Sequence, residues 1–183
     1  MNALYVCHEF NSNCMTTFIK QLTIEKPIEK LWQVISDLKS VEKFHPGVKK
    51  SYLTNTLEKG LGAARICELY PSGKIIETVT EWKEGDGYLL KIEPIEKAPP
   101  VKNFKGRFDL TKIDNEKTQV SVSISYDVKL GAIGILLNKL VIQSKIEASI
   151  DGLLSGLKLH TEMNVDIKDQ KHLNEVYIEY NNN

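Results

Sequence analysis

The sequence predicts an α+β fold in β-α-α-β6-α order: a strongly curved antiparallel sheet of seven strands around a long C-terminal helix. Six strand-like segments follow one another over 48–55, 62–70, 74–83, 87–93, 102–113 and 118–128. They are separated only by short turns such as PSG, EGDG and DNEK, which hold Gly, Pro, Asn or Asp. Connections that short have no room for a crossover helix, so the strands run as an antiparallel meander. After them, residues 132–164 carry an apolar pattern at helical spacing.

Taken in order, residues 1–16 show no sustained period and are expected to be a disordered leader. TFIKQLTIE at 17–25 reads as the first strand, with Phe18, Leu22 and Ile24 of one parity. Pro27 suits the first turn of a helix, where its missing N–H is no loss, and Ile28, Leu31, Trp32 and Ile35 then share an apolar face. A second short helix over 39–44 stops before His45-Pro46-Gly47, because Pro46 biases its predecessor away from helical angles. His45 is therefore read as turn punctuation, not as a base. In the last strand Val120, Val122, Ile124 and Tyr126 oppose Gln119 and three serines, giving one buried and one wet face.

The long helix places Leu136, Leu137 and Leu140, then Ile146, Ile150 and Leu153, then Leu154 and Leu157, along its length. Gly152 and Gly156 lie four apart inside it, each costing about 1 kcal/mol relative to Ala, so a compensating close approach of the sheet or a ligand is expected there. The tail over 165–183 is polar, with EVYIEY as a possible short strand.

At 183 residues the chain is expected to be one domain, spanning 17–164 between leader and tail. Twenty-four basic residues balance 24 acidic ones, which gives no electrostatic reason for a nucleic-acid or anionic-membrane partner. Three cysteines make no disulfide framework and suit a reducing, cytoplasmic setting. Cys7, His8 and Cys14 lack a second pair at matching spacing, so no metal is expected. No signal peptide is read in residues 1–16, and AIGILL at 132–137 is far too short to span a bilayer.

A helix of some thirty residues cannot fill the concavity of seven long strands. The remaining space should form an apolar pocket between sheet and helix, a usual form of small-molecule site. Alternation puts Arg65, Cys67 and Leu69 on one face, and Glu77 and Val79 on the corresponding face of the next strand. An inward Arg65 and Glu77 would need one another, because an unpaired buried charge costs several kcal/mol. They are read as ligand contacts, with a structural ion pair or an outward-facing pair as the alternatives. Tyr88 and Leu90, with Phe104 and Phe108 flanking Gly106, are expected to face inward beside them. Val122, Ile124 and Tyr126 of the last strand and Ile150, Leu153 and Leu157 of the helix complete the expected lining.

GLGAAR at 60–65 is no dinucleotide loop, since it lacks the third glycine and runs into a strand. No nucleophile context and no paired carboxylates stand at a motif spacing, so no catalytic residue is assigned. Glu77 with Tyr88 or Tyr126 are the groups a proton transfer would use.

The chain resembles the START/Bet v 1-like (SRPBCC) superfamily, in particular its polyketide cyclase/dehydrase and lipid-transport branch, over about residues 17–163. The resemblance is carried by LWQVISDLKSVEKFHPGV at 31–48, GLGAAR at 60–65, GKIIETVTEW at 73–82 and LLSGLK at 153–158, in that order. It implies the helix-grip fold and a cavity for lipids, sterols, hormones, quinones or polyketides. Its members include carriers, receptors, quinone chaperones and a minority of cyclising enzymes. The expected function is binding or transport of a hydrophobic small molecule, with no cofactor. The alternatives are a cyclase/aromatase-like enzyme in the same pocket, or a protein-interaction module with a vestigial cavity.

Overall fold

The alternation through 118–128 is the plainest link from sequence to sheet. The structure, a computed structural model, describes residues 4–8 (main chain), 15–97, 101–128 and 141–182. In it those residues form β8 (Thr118–Val128), with Val120, Val122, Ile124 and Tyr126 buried and the serines between them partly exposed. The other strands are β1 (Leu4–His8), β2 (Met15–Ile24), β3 (Val48–Leu53) and β4 (Ala64–Leu69). They continue with β5 (Lys74–Lys83), β6 (Gly87–Glu96) and β7 (Val101–Lys112). All belong to one antiparallel sheet in the order β1-β2-β8-β7-β6-β5-β4-β3. Seven of these strands are those read from the sequence.

β1 corrects the expectation of a disordered leader. Residues 4–8 pair with β2, from Leu4 opposite Ile19 to His8 opposite Met15. Without it, the outer N–H and C=O groups of β2 would form an open edge. Covering that edge needs only main-chain groups, so a segment without side-chain periodicity can do it. The side chains of Cys7, His8 and Cys14 lie outside the described residues, as do the 132–137 run and Leu136, Leu137 and Leu140.

Pro27 precedes α1 (Ile28–Ser36), which buries Leu31, Trp32 and Ile35. Asp37 then caps a 3-10 helix (Leu38–Lys43), its carboxylate accepting from the Lys39 N–H at 3.0 Å. At the far edge of this layer, the indole N–H groups of Trp32 and Trp82 donate to the two oxygens of Glu84 at 2.9 and 2.8 Å. Their rings lie 4.8 Å apart, and Tyr88 stacks against Trp82 at 5.7 Å. Aromatic packing thus closes one end of the concave face.

Helix α2 (Gln143–Met163) crosses that face and ends at Asn164, whose left-handed φ of 56° terminates it. Its two glycines meet the turn after the 3-10 helix. A Cβ on Gly152 would sit 2.9 Å from Pro46 Cγ, and one on Gly156 would overlap the Phe44 carbonyl oxygen. The helix backbone therefore seats directly on the Phe44–Pro46 turn, which is the close approach the glycines required. On the other side, inward-facing Lys20 of β2 donates to Asp151 Oδ2 at 2.6 Å.

The tail is neither loose nor a strand: Gln170–Asn182 form helix α3. Asp169 caps it, accepting from the His172 N–H at 2.9 Å through its side chain. Leu173 and Val176 then pack on Leu159 and Ile167 in a second apolar cluster. Tyr180 Oη donates to Glu162 Oε2 and the Glu25 N–H to Glu162 Oε1, both at 2.6 Å, so one carboxylate joins α3, α2 and the end of β2. The two-residue alternation of EVYIEY resembles a strand, but burial at helical spacing after a capping Asp decides the outcome. Among the described residues, no helix is long and apolar enough to cross a membrane.

Gly→Ala in a helix interior ordinarily stabilises by about 1 kcal/mol. Here Gly156→Ala is expected to destabilise by about 2 kcal/mol, because the methyl group would displace the Phe44 carbonyl. Urea denaturation checks the sign. Gly152→Ala, facing the movable rim of a proline ring, is expected to cost less.

Candidate functional site

Alternation on β4 and β5 fixes the centre of the site. Arg65 and Glu77 are directly opposite in the register, and Arg65 Nε donates to Glu77 Oε2 at 2.6 Å. Arg65 Nη1 donates to the Leu38 carbonyl at 2.7 Å, tying the sheet to the 3-10 helix. Cys67 Sγ lies 3.5 Å from the same Glu77 Oε2. Both residues of the ion pair are buried, at 3 % and 9 % exposure. Burial works against the Arg65 charge, but the groups opposing it, Glu77 first, hold its pKa above the ordinary value. Burial, reinforced by the Glu77 charge, pushes the Cys67 thiol up to about 12.

A pocket of about 700 Å³ opens between the sheet and the N-terminal half of α2. Its sheet wall holds Arg65 and Leu69 of β4 and Ile75 and Glu77 of β5. Leu90, Ile92, Phe104, Phe108, Val122 and Ile124 extend that wall across the next three strands. The helix contributes Ile142, Ile146, Ile150 and Leu153, and the end wall is Val41, His45 and Val48. Tyr70, Pro71, Ser72 and Lys97 stand at the rim. Phe104 reaches the wall next to a bulge between Lys102 and Lys105, where Asn103 adopts a left-handed φ of 49°.

Ten residues expected from the sequence thus share the pocket wall: Arg65, Leu69, Glu77, Leu90, Phe104 and Phe108, with Val122, Ile124, Ile150 and Leu153. Cys67, Val79, Tyr88, Tyr126 and Leu157 are buried in the core behind or beside it. Tyr88 is taken up by α1, donating to the Ile35 carbonyl at 3.0 Å. Tyr126 lies edge-on to Phe104 at 6.0 Å, and Leu157 falls on the half of α2 seated on the turn. Parity gives the face of a strand, but not whether a helix already covers that stretch.

The expected lining left out Val41, Val48, Ile92, Ile142, Ile146 and Ser149, and also left out His45. It forms the turn and also lines the pocket. Burial, with the nearby Arg65 charge, outweighs the attraction of Glu77 and lowers its pKa to about 4. No local signal could show this, since its neighbour Ser149 is over a hundred residues away. His160 sits at the end of α2, its Nδ1 2.9 Å from the Val165 carbonyl oxygen. Among the described residues, no group of three His, Cys, Asp or Glu side chains is placed to hold a metal ion.

Residues 15–162 match the family described as polyketide cyclase/dehydrase and lipid transport. No curated protein matches the sequence. Among solved structures, the Zhui aromatase/cyclase of a Streptomyces species is similar at TM-score 0.68 and 15% identity, over 81% of this chain and 94% of that one. A START superfamily protein from Mycobacterium smegmatis is similar at TM-score 0.64 and 16% identity, over 81% and 99%. Norcoclaurine synthase from Thalictrum flavum is similar at 0.62 and 14%, over 82% and 98%. Identities this low establish a shared helix-grip fold and no more.

Two outcomes follow from this wall. Arg65→Leu leaves the buried Glu77 charge alone and is expected to cost about 3 kcal/mol, with Arg65→Leu/Glu77→Leu recovering most of it in urea denaturation. His45 has a second consequence. As pH falls below 6.5 the unfolded chain takes up a proton that the folded chain refuses until about 4. Stability is thus full above that window and declines within it, and His45→Asn removes that share of the decline. Denaturation midpoints above and inside the window measure it.

Proposed function

The chain belongs to the polyketide cyclase/dehydrase and lipid transport family, and on that premise we propose that it binds and carries a hydrophobic small molecule in the pocket under α2. The observation that carries this reading is the pocket itself: about 700 Å³, walled by aliphatic and aromatic side chains, with one buried ion pair among them. That volume suits a molecule of lipid, sterol or fused-ring size. Burying on the order of 300 Å² of apolar ligand surface at roughly 25 cal/mol per Å² supplies about 7 kcal/mol, before association costs are subtracted. Both bonds to Glu77 fall on Oε2. The carboxylate's other oxygen is then the natural acceptor for a ligand hydroxyl, so the pair orients a polar end as well as closing the wall.

The pocket's titratable groups favour a carrier over a catalyst. Acid–base work at neutral pH is best done by a group with a pKa near 7. His45 is held at about 4, Arg65 is held protonated, and Tyr88 is raised by burial and engaged with the Ile35 carbonyl. A reaction there resembling those of the aromatase/cyclase would not find its acid or base in these three groups.

Native mass spectrometry of the purified protein is expected to show a co-purified apolar molecule. Ile124→Trp, which fills the middle of the pocket, is expected to expel it while the fold, read by circular dichroism, is kept. A wild-type protein that carries nothing and takes up no apolar fluorophore would overturn the reading.

A further inference from the structure

Apart from the ion pair and the polar residues of the rim, one group of polar atoms stands on the end wall of the pocket. His45 and Gly47 come from the turn before β3, and Ser149 from α2; all three line the pocket. The Gly47 N–H donates to His45 Nδ1 at 3.1 Å. An Nδ1 that accepts carries no proton, so the neutral imidazole bears its proton on Nε2. Nε2 stands 3.4 Å from Ser149 Oγ, beyond the length of a strong hydrogen bond. The Nε2–H is therefore aimed at the pocket side of α2 without being fully used there. Gly47 keeps the space clear: a Cβ at that position would sit 3.0 Å from His45 Cε1 and 3.7 Å from Ser149 Oγ.

We propose that His45 Nε2–H and the Ser149 hydroxyl form a hydrogen-bonding station that selects ligands carrying an uncharged acceptor, a carbonyl oxygen, on an apolar body. The station rests on the pocket being a ligand site, and it adds the chemical class of the ligand and the residues that choose it. The turn fixes the imidazole as a donor, and the serine hydroxyl rotates to donate alongside it. A carboxylate finds no free charge on the sheet wall of the pocket. The Arg65 guanidinium is engaged by Glu77 and by the Leu38 carbonyl. The imidazole itself stays uncharged until the pH nears 4. Lys97 and Lys145 lie exposed on the lining, where an ion pair in water contributes little.

The test uses three naphthalene probes of similar size, titrated calorimetrically into the full chain at neutral pH: methyl naphthyl ketone, ethylnaphthalene and naphthoate. Wild-type protein is expected to prefer the ketone over the hydrocarbon by about tenfold, the worth of one or two net hydrogen bonds. His45→Asn keeps an acceptor for the Gly47 N–H, and its shorter side chain no longer carries a donor to the position of Nε2. Ser149→Ala removes the hydroxyl at an exposed helix position, where alanine favours the helix. Each is expected to cut the ketone preference, taken as the ratio of ketone to ethylnaphthalene affinity in the same variant, to about twofold. A ketone preference that survives in both variants, equal binding of ketone and hydrocarbon by wild type, or tightest binding of naphthoate overturns the station and leaves the apolar pocket standing. If none of the probes binds wild type, the pocket reading fails and the station with it.

Discussion

The seating of α2 on the Phe44–Pro46 turn is the contact from which the rest of this structure follows. Gly152 and Gly156 remove the two side chains that would hold the helix away from the turn. Once backbone meets backbone there, the C-terminal half of the helix is fixed against the end of the sheet. Leu154, Leu157 and Leu159 are then fully buried. The N-terminal half continues across the concave face without comparable support beneath it. Its apolar residues Ile142, Ile146, Ile150 and Leu153 face the space that remains, and that space is the pocket. The entropic and packing costs of two helix glycines, of order 1 kcal/mol each, are small beside the burial they permit.

A second constraint sets the character of that space. Arg65 and Glu77 are opposite one another on neighbouring strands, so their pairing follows from register alone. A buried pair contributes little net stability against an apolar alternative, but losing one partner is costly. Its place here is explained better by position than by strength. Through Arg65 Nη1 the pair ties the sheet to the Leu38 carbonyl, and Ser51 Oγ donates to that same carbonyl at 3.4 Å. The polar point of the wall is thus anchored to the 3-10 helix whose following turn carries His45. The two polar features of the pocket are held by one short segment of chain.

Much of this was legible in the sequence, and the limits are physical. The meander was readable because the turns are short, and the shared face of Arg65 and Glu77 because the alternation is strict; the register that sets them opposite was not. The close approach at Gly152 and Gly156 was readable as a requirement, though not the partner that met it. β1 escaped notice because edge pairing is made by main-chain groups and leaves no side-chain period. α3 escaped notice because EVYIEY alternates, and only Asp169 with Leu173 and Val176 reveals a helix. Five expected lining residues fell into the core because coverage by a helix depends on where that helix sits, which strand parity does not encode. His45 was assigned correctly to a turn, and its second role depends on a serine from the far end of the chain.

The two halves of α2 have consequences for how such a protein can change. On the seated half, nearly any substitution disturbs a backbone contact or a fully enclosed leucine, and selection on folding alone would hold those positions still. On the half that roofs the pocket, side chains border a space rather than a backbone, so an exposed residue such as Ser149 can be exchanged with little penalty to folding. One helix therefore contains both a stretch where mutations accumulate as lost protein and a stretch where they accumulate as a reshaped pocket. Descendants of this chain can diversify in the form of that space without first acquiring a more stable scaffold.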